Sequence, residues 1–119
     1  LCGDIRFETS ARPQGASACH CGQCRKQSGH FWASAYVPKS ELKIGGPVKW
    51  YASSEAAERG FCPRCGSFLF WHAHAEDTIS FSLGVLDEPT GLTLEKHIFV
   101  ADKGDYYEIA DGLPQLERS

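Results

Sequence analysis

The sequence predicts a mostly β fold of short strands. Short apolar segments recur with strand-like alternation or β-prone aromatic content. Twelve glycines and six prolines punctuate them. No segment holds a helical apolar period for long, and there is no repeat or low-complexity tract.

Gly3 to Glu8 alternates apolar and polar residues, as a half-buried strand should. Arg12-Pro13-Gln14-Gly15 is a turn, and Ala16 to Cys21 is a second strand running into a bend at Gly22. Arg25 to Ser28 forms one helical turn, stopped by Gly29. Phe31 to Val37 is an aromatic strand, and Ser40 starts a short turn after Pro38. Leu42 to Ile44 and Val48 to Ser53 are expected to pair as a hairpin across Gly45-Gly46-Pro47. Ser54 to Arg59, polar and Ala-rich, is expected as loop or helical turn. Phe68 to His72, Thr78 to Leu83 and Lys96 to Val100 are strands, Asp87 to Gly91 is a loop, and Tyr106 to Ile109 is a short extended piece. The 119 residues suit a single domain with one modest core. The absence of methionine suggests truncation at the N-terminus.

A net charge of −3 offers no basic footprint for nucleic acid. No apolar run approaches the ~20 residues that span a bilayer, and no signal-peptide pattern is present. The expectation is a cytoplasmic protein, monomer or homodimer, with neither nucleic acid nor membrane as partner.

Six cysteines in such a chain point to metal or redox chemistry. Cys21 with Cys24 and Cys62 with Cys65 have the C-x-x-C spacing that bends two sulfurs toward one ion, at about 2.3 Å each. Cys19 adds a third sulfur, because residues two apart on a strand share a face, so His20 between them points away. Three thiolates from Cys19, Cys21 and Cys24 leave a fourth tetrahedral position open, the pattern of a catalytic zinc. Cys2, Cys62 and Cys65 are one ligand short of a closed structural zinc. The fourth would be a residue two positions before Cys2, or a neighbouring histidine. A rival reading joins the two C-x-x-C pairs into one four-cysteine ribbon, across a stretch much longer than the usual ~15–20 residues. A dithiol redox protein and a disulfide framework are further alternatives.

These residues carry a resemblance. Cys2-Gly3, the run Cys19-His20-Cys21-Gly22-Gln23-Cys24-Arg25-Lys26-x-Ser28-Gly29, and Gly60-Phe61-Cys62-Pro63-Arg64-Cys65-Gly66 occur in order. Gly84-x-Leu86-Asp87, His97-Ile98-Phe99 and Asp111-Gly112-Leu113-Pro114 follow. Over nearly its whole length the chain resembles the glutathione-dependent formaldehyde-activating enzyme family, also called centromere-protein-V-like. The resemblance implies a β-tent sandwich of short antiparallel strands with few helical turns. It implies two zinc ions: a structural one on Cys2, Cys62, Cys65 and a cysteine before Cys2, and a catalytic one on Cys19, Cys21 and Cys24. It implies a carbon–sulfur lyase that joins a small thiol such as glutathione to formaldehyde, or acts on a related thiol adduct. The family's centromere-protein branch supplies the alternative of a non-catalytic protein- or chromatin-binding module.

Three thiolates on Zn²⁺ leave a net charge of −1, so nearby cations are expected to offset it and to attract substrate carboxylates. Arg25 and Lys26 follow the trio, while Arg59 and Arg64 flank the second knuckle. Arg25, Lys26 and Arg64 are the candidate substrate contacts. Among the histidines, His30 is a candidate pocket residue and His72 and His74 are expected at the surface. No histidine shows a catalytic partner from sequence. The aromatics Phe31, Trp32, Trp50, Phe70 and Trp71 are expected mainly in the core.

Overall fold

The computed structural model describes residues 1–119. Its strands are β1 (Arg6–Thr9), β2 (Gln14–Cys19), β3 (Trp32–Pro38), β4 (Leu42–Gly45), β5 (Lys49–Ala52), β6 (Ala57–Phe61), β7 (Phe68–Ala73), β8 (Thr78–Ser82) and β9 (Lys96–Ile98). The one α-helix, α1, spans Gly22–Ser28. The chain is mostly β, in two sheets. One pairs β1 with β4; the other has seven strands in the order β5-β6-β7-β8-β3-β2-β9. All neighbours are antiparallel except β2 and β9, which run parallel.

The small sheet covers the core of the large one. Ala16, Ala35, Val37, Leu69, Phe70, Ile79 and Phe81 are buried together, with Ile5, Phe7, Leu42 and Ile44 packed onto them. Phe7 meets Phe70 edge-on at 5.1 Å between ring centroids. Phe70 and Phe81 are fully buried, and each contributes roughly 1.5–3 kcal/mol of transfer free energy.

The expected hairpin across Gly45-Gly46-Pro47 does not form. β4 pairs with β1, whereas β5 pairs with β6. Leu42 and Ile44 have apolar faces to bury on the core, while β5 is exposed at the edge of the large sheet. The turn therefore passes the chain from one sheet to the other. Gly46 sits there at φ +105°, so close to the Asp4 carbonyl that no side chain fits.

Ser54 to Arg59 is not a helical turn: β6 begins at Ala57, and its polar residue Arg59 is buried. Tyr106 to Ile109 contains no strand; Asp105 and Tyr106 form a turn instead. His72 is buried rather than exposed, because it lies in the interior of β7 opposite Glu58 of β6.

Candidate metal centre and its surroundings

β2 ends at Cys19, and α1 begins immediately beyond Cys21. Cys21 is the helix N-cap, and its sulfur accepts the backbone N–H of Cys24 at 3.3 Å. The first turn of the helix thus folds Cys24 back toward Cys21. Gly29 ends the helix in the left-handed region, φ +85°, its N–H donating to the Arg25 carbonyl. The Cys19, Cys21 and Cys24 sulfurs all lie within 4.8 Å of one another. Cys19 and Cys24 are buried beside Trp32, and Phe68, Trp71 and Ile98 close the surroundings. Trp32 stacks on Phe68 at 4.3 Å and donates its indole N–H to Ser82 at 2.7 Å.

Hydrogen bonds from Cys19 and Cys24 hold the Cys21 thiol far below the ordinary range. The reciprocal bond to Cys21, with burial, pushes the Cys19 thiol up. Binding of a metal ion would require all three sulfurs to give up their protons.

A second triad gathers Cys2, Cys62 and Cys65, again within 4.8 Å. Gly66, at φ +78°, turns the knuckle so that its N–H reaches the Cys62 carbonyl at 2.8 Å. The Cys2 and Cys62 sulfurs are 3.6 Å apart. Two thiolates bound tetrahedrally at about 2.3 Å would stand about 3.8 Å apart. All six cysteines are free thiols, and their sulfurs form two separate triads rather than one ribbon. Soft sulfur-only donor sets suit zinc and other thiophilic metals, so each triad could hold a metal ion.

The candidate substrate contacts are dispersed. Arg25 runs back against the 104–107 turn: its Cδ is 3.3 Å from where a Cβ on Gly104 would lie, and its Nε is buried without a hydrogen-bond partner. Lys26 is exposed on α1. Arg64 belongs to the second triad's loop and pairs with Asp4 at 3.0 Å.

Arg59 and a chain of polar groups centred on the buried His20 and His97 were not among those candidates. Arg59 is 5% exposed. Its two terminal nitrogens lie 3.7 and 3.8 Å from the Cys24 sulfur, and one also donates to Gln27 at 3.1 Å. The polar chain runs from Asp111 through His97 and His20 to Tyr107. His97 Nε2 is 2.7 Å from the Asp111 carboxylate, and His97 Nδ1 is 2.9 Å from His20 Nε2. His20 Nδ1 bonds the Tyr107 hydroxyl. The carboxylate only accepts, so each donor along the chain faces it: His97 Nε2–H to Asp111, His20 Nε2–H to His97, Tyr107 O–H to His20. His20 therefore points away from the trio, as alternation requires. Burial, followed by its neighbour His97, pushes it down to about 4, so it is neutral at pH 7. The hydrogen bond from His97 holds Asp111 below the usual carboxylate range. The Asp111-Gly112-Leu113-Pro114 motif was the available signal, since it brings a carboxylate back to β9.

Fold and site together define a class: a two-sheet β protein with two cysteine triads, each able to hold a thiophilic metal. Residues 1–102 match the family described as glutathione-dependent formaldehyde-activating enzyme, and the chain belongs to that family. An uncharacterized lyase of Schizosaccharomyces pombe is 28% identical over 113 residues, spanning 93% of this chain and 82% of the relative. A crystal structure of a Rhodobacter sphaeroides protein shares the fold, with a TM-score of 0.54 and 22% identity over 77% of this chain and 85% of that one. Family and relative together support an enzyme with lyase-type, glutathione-related function.

Proposed function

We propose that the protein is a zinc-dependent carbon–sulfur lyase-type enzyme, working on a small thiol such as glutathione and on formaldehyde or a related thiol adduct. The observation that carries this reading is the Cys19-Cys21-Cys24 trio: three convergent sulfurs with no fourth protein donor among them. Cys2, Cys62 and Cys65 are assigned to a second, structural zinc. The bound catalytic zinc would supply Lewis acidity and favour thiolate over thiol at its open position.

The reaction itself is an addition. The thiol sulfur bonds to the aldehyde carbon, the C=O π bond breaks, and the thiol proton ends on the former carbonyl oxygen. The chain's own groups bind and orient. Cys19 anchors the site to the end of β2, while Cys21, the helix cap, and Cys24 join it to α1. We assign Arg25 and Lys26, next on that helix, the attraction of the carboxylates of an anionic thiol. We assign Arg64 a weaker part, because Asp4 already occupies its guanidinium. The same reading places the protein in the cytoplasm, where such thiols are abundant; no helix of the structure is long and apolar enough to cross a membrane.

The test is Cys24→Ser. Zinc content and the rate of S-hydroxymethylglutathione formation would be measured beside wild type, with thermal melting as a check on folding. The variant is expected to lose one zinc and the rate enhancement while still melting cooperatively. Undiminished turnover without that zinc sinks the enzyme reading, and a wild type with no turnover favours a binding module.

A further inference from the structure

Arg59 lies on β6, far from the trio in sequence, yet its guanidinium is buried beside Cys24. A guanidinium stays protonated in a protein, and burying it without a counter-charge costs several kcal/mol. No carboxylate lies within ion-pair distance of it: the ion pairs involve Arg64, His72, His74 and His97. Its neighbour Glu58 is directed instead to His72 and His74. The guanidinium also meets the Gln27 side-chain carbonyl at 3.1 Å and the Phe68 ring at 5.5 Å, both uncharged, while its Nε is buried without a hydrogen-bond partner. The only anion-forming group that it touches is the Cys24 sulfur, which both terminal nitrogens approach.

We propose that Arg59 is the counter-charge of the thiol trio, a positioning residue that balances three thiolates on a dication and directs its N–H groups at the Cys24 sulfur. The inference rests on the zinc reading of the trio. Zinc with three thiolates carries −1, and Arg59 brings the assembly to neutrality. An incoming thiolate then meets a neutral site rather than an anionic one. The residue thereby selects for an anionic sulfur partner at the open position, which a three-thiolate site alone would repel. Hydrogen bonds to sulfur also withdraw electron density from Cys24, which keeps the metal a stronger acid than three unmodified thiolates would. Because Gln27 shares the guanidinium, the same side chain holds α1 against β6.

Cobalt(II) substitution separates the electrostatic role from simple clamping. Wild type, Arg59→Lys and Arg59→Met would be loaded with cobalt and followed by sulfur-to-cobalt charge-transfer absorption. Affinity would be read by chelator competition, and the Cys2-Cys62-Cys65 triad serves as an internal control. Arg59→Met is expected to shift the trio's charge-transfer band to lower energy, because the sulfur electrons are no longer stabilised. It should also weaken that site at least about tenfold, the scale of lost outer-shell partners, with the control triad unchanged. Arg59→Lys keeps the charge and should recover a large part of both. An unshifted band and unchanged affinity in Arg59→Met overturn the proposal, as does equal loss in Lys and Met variants. If Arg59→Met does not fold, Arg59→Lys decides alone: a band near wild type supports the charge role, and a full red shift refutes it. A wild type that takes up no cobalt at the trio overturns the underlying zinc reading instead.

Discussion

His97 of β9 holds His20 at 2.9 Å between their ring nitrogens, and His20 is the residue that separates Cys19 from Cys21. A hydrogen bond between two imidazoles thus anchors the backbone link between two thiols. The parallel pairing of β2 with β9 makes it possible, since Cys19 is opposite Ile98 and the His20 N–H donates to the Ile98 carbonyl at 3.0 Å.

Asp111→Ala removes the acceptor that orients this chain. The His97 N–H loses its partner in a mostly buried position, which should cost about 1–3 kcal/mol. Chemical denaturation would read that loss. Asp111→Asn keeps an acceptor oxygen and should recover most of it; equal losses would show that charge, rather than hydrogen bonding, holds His97.

His20 also imposes a pH dependence on stability. Its folded value near 4 lies below the unfolded value of 6.5. Between those values the unfolded chain binds a proton that the folded one excludes, so stability is complete above pH 6.5 and falls as pH drops toward 4. His30, His97 and Lys103 oppose protonation there, and Asp111 favours it. By pH 5 the fall should be about 2 kcal/mol. Denaturation at pH 7 and pH 5 would measure it, and His20→Gln should flatten the difference.

Phe70→Ala should be the most damaging single truncation in the core. The ring is fully buried against Phe7, and such a cavity costs about 3–5 kcal/mol. Urea midpoints would show it. A cost under about 1 kcal/mol would mean that the small sheet collapses into the space.

Arg64→Ala should change stability by less than about 1 kcal/mol, because its ion pair with Asp4 is solvent-exposed. Zinc content should stay at the wild-type level. A drop in affinity for glutathione with stability unchanged would raise Arg64 from a surface pair to a substrate contact.

Much of the site was legible before any tertiary information. The Cys19-x-Cys21-x-x-Cys24 spacing combines a strand end with a helix cap, and both are local geometries that covalent spacing dictates. Gly29 announced the helix stop in the same way. The β4–β5 hairpin was misread because Gly45-Gly46-Pro47 looks like any tight turn. Its direction depends on where Leu42 and Ile44 bury, which is a long-range matter. Arg59 and His72 were misplaced for a related reason. Alternation along a strand says which residues share a face, but not which face another layer covers.

The chain's own order of residues therefore determined the β class and the two C-x-x-C knuckles, since neighbouring atoms impose those within a few bonds. Packing alone decided that the guanidinium of Arg59 lies beneath Cys24, and that Asp111 closes a polar chain on His20. Both contacts join residues far apart along the chain. Burying a charge or an imidazole is tolerable only where the fold delivers its partner.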